Sequence, residues 1–238
     1  MKFFDLHVHS AFSGGESSLE ELARTAKLLG YSGICFVFYY QDETQKDILV
    51  AEIERIKKEV GIDIYLGFEA RDVKELKYLA KKRRSFDLLL ARGGEMEMNR
   101  VACETPEVDI LTHPEYQRND SGLDHISVRF AAKNDVAIEI NFREILLSSR
   151  VSRAKILANI AKNVQLAKKY KAKIIICSGA VSHWELKDPF CLASFATLLG
   201  LELKEGKRAI SETPKEIIEK IKERKDENWI MPGVRRVE

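Results

Sequence analysis

A chain of 238 residues that is 45% hydrophobic can bury a sizeable core, which excludes wholesale disorder, and it holds no run of about 20 apolar residues, which excludes a membrane-spanning helix. Thirty-nine basic residues against 37 acidic ones leave a net charge of +2, so nucleic-acid binding has to rest on local clustering and not on global charge. Four cysteines, at 35, 103, 177 and 191, form no CxxC pair, and Asp5 and His7 come too early for a signal peptide; a cytoplasmic chain with reduced thiols is the simplest expectation.

In chain order, short β-branched or aromatic runs occupy 3–9, 33–38, 62–69, 86–92, 109–113, 136–142 and 173–178. Their starts lie 23–37 residues apart, the length of a βα unit and too long for a hairpin. Between the first two runs, Ser18 and Glu21 fit a capping box ahead of a helix over 19–29, which Gly30 is placed to end. Asp42 with Gln45 opens a second helix that reaches Val60. The run Lys81, Lys82, Arg83, Arg84 reads as a solvated helix end or as a patch touching an RNA backbone. Further on, 151–170 carries Ala154, Leu157, Ile160, Ala161 and Val164 on one helical stripe. Thr213, Pro214 and Glu216 fit the cap, first position and reciprocal cap of a C-terminal helix, and 226–238 reads as an extended tail. Alternating βα units without a Pro/Gly-rich linker predict a single α/β domain over 1–238. An open doubly wound sheet and a TIM-like (β/α) barrel with seven main parallel strands both fit that alternation.

The polar residues favour the barrel. Side chains alternate along a strand, so Phe4, Leu6 and Val8 share one face of the first run while Asp5, His7 and His9 share the other. Glu69 and His113 end the third and fifth runs, Ser178 ends the seventh, and Arg71 and Arg92 follow the third and fourth. Glu139, Asn141 and Arg143 share one face of the sixth. In a barrel, all of these ends open onto one mouth, where sites are built. The His7-x-His9 pair offers two imidazoles facing the same way, which suits a metal, and three arginines at one mouth suit a phosphate. His125 and His183 read as structural, and Phe36, Phe38 and Phe195 as core.

Asp-Leu-His-Val-His-Ser at 5–10, Gly67-Phe68-Glu69, Thr112-His113-Pro114 and Ile138-Glu139-Ile140-Asn141 resemble the PHP superfamily, distorted βα barrels of which many are metal-dependent phosphoesterases. The resemblance carries His7 and His9 onto its first ligand motif, Glu69 onto its glutamate and His113 onto a later histidine. Two motifs depart from it. Thr-Asp-His after the second strand is replaced by Val37-Phe38-Tyr39-Tyr40, and Ser-Asp-Ala-His near the seventh by Ser178-Gly179-Ala180-Val181. Phe, Tyr, Gly and Val cannot supply the ligands of a multi-metal cluster.

A resemblance covering nearly the whole chain, carried above all by 108–142 and 174–201, is to the ribonuclease P protein component 3 family. It implies a PHP-type barrel without the full metal site, and a protein subunit of an RNA-based endonuclease that removes the 5′ leader of tRNA precursors. The catalytic RNA then does the cleaving, and no residue here is catalytic. The implied partners are the ribonuclease P RNA, a small RRM-like protein subunit and the other subunits of the particle, with no membrane. The expected RNA-binding residues are Arg71, Arg92, Arg118, Arg129, Lys133, Arg143, Arg150, Arg153 and Lys173. No cofactor follows from the resemblance. A single residual divalent metal at His7, His9, Glu69 and His113 stays open, as do a free metal-dependent PHP-type phosphoesterase and a pure protein-interaction scaffold.

Overall fold

Capping side chains fix where the helices start. Ser18 accepts a hydrogen bond from Glu21 N and Glu21 returns one to Ser18 N, which opens α1 (Leu19–Leu28). Asp42, Asp72 and Asp124 accept the backbone N–H of Gln45, Glu75 and Ser127 and so open α2 (Glu43–Val60), α3 (Val73–Lys81) and α5 (His125–Asn134). The remaining helices are α4 (Met96–Glu104), α6 (Phe142–Leu147), α7 (Arg150–Tyr170), α8 (Pro189–Phe195), α9 (Leu203–Ala209) and α10 (Glu212–Lys225). The start of α10 differs from the sequence reading. Ser211 takes the cap position without a side-chain cap bond, and Thr213 and Pro214 are buried inside the first turn. Pro214 is tolerated there because the first turn leaves its backbone N–H groups unused.

This computed structural model describes residues 1–231 and 234–236. Its strands are β1 (Phe4–Val8), β2 (Gly33–Phe38), β3 (Asp63–Ala70), β4 (Leu88–Arg92), β5 (Ile110–Thr112), β6 (Ala137–Asn141) and β7 (Ile174–Cys177). All seven pair in sequence order and in parallel, forming a nearly closed TIM-like barrel ringed by helices. The seam between β1 and β7 is bridged where His9 N donates to Ala180 O at 2.8 Å and Ser178 N donates to the Asp5 carboxylate at 3.2 Å. Within the expected tail, β8 (Trp229–Met231) and β9 (Val234–Arg235) pair antiparallel; Pro232, Gly233, Val237 and Glu238 lie outside the described residues. No helix among the described residues is long and apolar enough to cross a membrane.

Period-two alternation sorts the strand residues into two cores. Ile34, Phe36 and Phe38 of β2, with Leu89 and Ala91 of β4, face the helices. Cys35, Val37, Leu88, Leu90, Ile110 and Ile175 fill the barrel, together with Ile217, Ile218 and Ile221 of α10. α10 is thus a plug across the N-terminal ends of the strands, each buried isoleucine contributing about 1.5–3 kcal/mol. Strand β1 breaks the alternation. Its register against β2 shifts between Asp5 and Val8, so Leu6 joins the inner core, Val8 the outer one, and His7 still points to the mouth. Asp5 does not point into the barrel with His7 and His9; it accepts backbone hydrogen bonds at the β1–β7 seam.

The plug is locked by a buried ion cluster. Arg83 and Arg224 of α10 both bond the Asp109 carboxylate, and all three are almost fully buried. Arg83 also donates to Glu107 O, Phe86 O and Asp87 O, at 3.0, 3.2 and 2.7 Å. The run Lys81–Arg84 is therefore not a uniformly solvated helix end or RNA patch. Arg83 ties its own loop to the one before β5, and Arg84 donates to Arg224 O and Asp226 O.

Candidate functional site

The C-terminal ends of β1, β3, β5 and β6 converge on one buried polar cluster. His7 Nδ1 lies 2.7 Å from Glu139 Oε1, and His7 Nε2 lies 3.1 Å from His9 Nε2. Glu69 Oε1 is 3.9 Å from both His7 Nε2 and His113 Nε2, and it accepts a 2.8 Å hydrogen bond from Thr112. His113 is delivered by a left-handed residue, φ 28°, just past β5, and its backbone N–H donates to Glu139 Oε2 at 3.2 Å. The following loop is held in shape by Asn99, whose Nδ2 donates to Pro114 O and Gly122 O. Gly122 is required there: its φ is +71° and a Cβ would sit 2.0 Å from Pro114 O.

Charge in this cluster follows from the carboxylates. Burial opposes a charge on His7, but Glu139 and Glu69 outweigh it and raise its pKa from 6.5 to about 9. Burial, then the adjacent His7, pushes His9 down to about 4. Burial also lowers His113. It works against the Glu69 and Glu139 carboxylates too, yet His7 beside them wins and holds both below the usual carboxylate range. With no metal bound, the consistent assignment is a His7 imidazolium that donates Nδ1–H to Glu139 and Nε2–H to neutral His9.

The same donors fit one metal ion. Ligand atoms of His7, His9 and Glu69 lie within 4.8 Å of one another, and both ring nitrogens of buried His113 lack a hydrogen-bond partner. Glu139 orients His7 through Nδ1 and leaves Nε2 facing the others, the usual outer partner of a metal-bound histidine. A second ion finds no ligands in the two departing motifs. Phe38 packs in the outer core, and Gly179 stands where a Cβ would collide with the Asn141 amide at 2.5 Å.

The nine expected RNA-binding residues do not form one surface. Arg71, Arg92 and Arg118 line a single open groove of about 610 Å³ at the mouth, with Gly94, Tyr116 and Asn119. Arg118 is held by Asp120 through two bonds of 2.6 and 2.9 Å. Arg143 belongs to α6 and not to β6, and its Nε pairs with Glu185 at 2.9 Å. Arg150 and Arg153 open α7, where Val151, Ser152 and Lys155 line a groove sharing Tyr116–Asn119 with the first. Arg129 and Lys133 sit on the outer face of α5, beside Ile126 and Phe130. Lys173 precedes β7 at the opposite end of the barrel, paired with Asp135 at 2.7 Å and Glu216 at 3.0 Å.

Sequence reasoning passed over Tyr39 and Tyr116 and gave Glu139 no role. Tyr39 was legible, since it continues the inward alternation Cys35, Val37 of β2; Tyr116 sits in an irregular loop and carried no periodic signal. A larger cavity, about 930 Å³, lies nowhere near this chemistry, between α10 and the loops around Arg83, Lys133 and Trp229. It has none of the histidines or strand-end carboxylates, so the mouth remains the candidate site.

Comparison with known proteins agrees with the topology. The sequence model of the family described as RNase P subunit p30 matches residues 2–226. The chain belongs to that family. Ribonuclease P protein component 3 of Methanosarcina mazei is 36% identical over 222 residues, which cover 92% of this chain and 90% of that protein. Among solved structures, a chain in the cryo-EM structure of archaeal ribonuclease P with mature tRNA superposes with a TM-score of 0.81 at 30% identity, covering 98% of each chain. The metal-dependent tyrosine phosphatases of Bacillus subtilis and Streptococcus pneumoniae give a TM-score of 0.59 at 16% identity, over 99% of this chain and all of theirs; that likeness is one of fold. As a member of the RNase P subunit p30 family, the chain has the barrel expected from its PHP-like motifs.

Proposed function

We propose that this chain is a protein subunit of ribonuclease P that binds the catalytic RNA of the particle and thereby supports removal of the 5′ leader from tRNA precursors. What carries the reading is the end-to-end match to a chain of an archaeal ribonuclease P particle. The mouth supports it. Arg92 is half-buried, hydrogen-bonded only to neutral phenols, and forms no ion pair among the described residues. A partly desolvated guanidinium with no directly paired carboxylate, on which buried Glu69 acts only through space, suits a phosphate. The RNA, the other subunits and a small RRM-like protein are the partners this reading brings with it.

Reconstitution tests it: particles assembled without the chain should cleave a tRNA precursor more slowly, and equal rates with and without it would sink the proposal. In the same assay Arg92→Glu should raise the protein's apparent dissociation constant for the RNA by about tenfold or more and reduce the salt slope by about 1. Six to ten phosphate contacts in all would make affinity fall about 10³–10⁵ between 50 and 200 mM salt, so a flat salt response would move the RNA surface elsewhere.

We read the isolated chain as non-catalytic. His7, His9, Glu69 and His113 would hold at most one divalent ion, which would polarise a bound oxygen, and their own part would be to bind and orient it. Purified protein supplied with Mn²⁺ and a phosphomonoester is expected to show no turnover. Turnover abolished by His7→Ala and His9→Ala would establish the phosphoesterase instead.

A further inference from the structure

The cationic rim is layered with aromatic rings. The Arg71 guanidinium lies over the Tyr39 ring, 5.1 Å from its centroid, and the His9 ring sits 5.8 Å away, tilted by 30°. Arg92 donates to the Tyr39 hydroxyl at 3.1 Å and lies 5.3 Å from the centroid of Tyr116, which stacks on His113 at 5.2 Å. Tyr39 thus joins the two arginines. It carries Arg71 on its ring and anchors Arg92 through its hydroxyl.

The two guanidiniums have different surroundings. Arg92 is recessed and without a carboxylate partner, a fixed donor set for an anion. Arg71 is exposed, with its side chain 55% accessible and only a 3.3 Å side-chain contact to Glu75, and its guanidinium lies over the Tyr39 ring. One guanidinium face is covered by Tyr39, so the stacking surface it offers is the other. Guanidinium planes stack on nucleobases, and a base can lie flat on that plane only when it is not paired and stacked within a duplex.

We propose that the barrel mouth binds one unpaired ribonucleotide, its phosphate on Arg92 and its base stacked on the outer face of the Arg71–Tyr39 pair. The proposal rests on the RNA-binding reading above and sharpens it. The mouth grips a single-stranded segment and not the backbone of a continuous A-form helix, which would offer phosphates to Arg92 but no free base face to Arg71. Arg71 acts there as a plane as well as a charge, which lysine cannot replace.

The test compares two probes on the full-length protein by fluorescence anisotropy: a short oligoadenylate and an abasic ribose-phosphate oligomer of equal length. The oligoadenylate should bind about 5-fold or more tightly than the abasic strand, the advantage of a stacked base. Arg71→Lys, which keeps the charge and is exposed enough to leave folding intact, should abolish that advantage with the salt slope unchanged. Tyr39→Phe, which keeps the ring and frees Arg92, should weaken both probes alike. Equal binding of the two probes to the unaltered protein overturns the proposal, as does no binding of either, or an advantage that survives Arg71→Lys. If any of these holds while reconstituted particles still need the chain for cleavage, the nucleotide site falls and the subunit role stands. If cleavage does not need the chain, the subunit role falls with it.

Discussion

Asp109→Ala should destabilise the protein by about 3–5 kcal/mol, because it leaves Arg83 and Arg224 buried at the base of the barrel without the carboxylate that both bond. Burial alone would favour a protonated Asp109, but the two guanidiniums outweigh it and hold its carboxyl below the usual carboxylate range. One Asp109 oxygen also accepts the Leu89 N–H at 3.0 Å, so the substitution strips a β4 backbone donor as well. The mechanism predicts a second result. Replacing all three charged groups together, by Asp109→Leu, Arg83→Met and Arg224→Met, should cost less than the single change, since no unpaired charge is then left inside. Urea denaturation of both variants decides it. A loss under about 1 kcal/mol for Asp109→Ala would mean that water reaches the cluster and that the plug is held by Ile217, Ile218 and Ile221 alone.

Glu139→Gln should lower the pKa of His7 from about 9, since burial then acts without its main opposing charge and only Glu69 and Asp5 are left to raise it. The consequence for stability has a definite sign. In the metal-free protein the folded-state pKa lies above the unfolded one, so the stabilisation from the His7 proton is complete below pH 6.5 and is lost as pH rises through about 9. Its size is on the order of 3 kcal/mol at pH 6.5 and below. His9 works the other way: its pKa of about 4 means that its contribution is complete above pH 6.5 and falls as pH drops towards 4. Histidine ring resonances followed by NMR from pH 4 to 10 report both groups, and urea midpoints over the same range report the linkage. A His7 that titrates near 6.5 in the unaltered protein would refute the imidazolium assignment.

Much of this was legible in the sequence. The strands fall where β-branched runs predicted them, because period-two alternation and the capping residues Ser18 and Asp42 are local signals. His7, His9, Glu69 and His113 were legible as strand-end residues of one barrel, and they do meet. The failures have separate physical causes. The shift in β1 depends on how β1 lies against β2 and across the seam from β7, so no pattern within 3–9 could show Leu6 turning inward beside His7. The burial of Arg83 depends on Asp109, 26 positions away, and on α10 arriving from the far end of the chain. Lys173 was misplaced for a simpler reason. In a βα unit a residue just before a strand lies at the closed end, and one just after lies at the mouth, so its neighbour Ile174 already excluded it from the rim.

The sequence by itself determined the seven strands, the family and most of the polar side chains that strand ends deliver to one mouth, since each follows from short-range periodicity or from contiguous motifs. The tertiary structure decided which cations are available and what they rest on. A guanidinium is committed to Glu185 or Asp109, or left without an ion pair beside Tyr39, only by the loops that close around it, and those contacts join residues far apart in the chain.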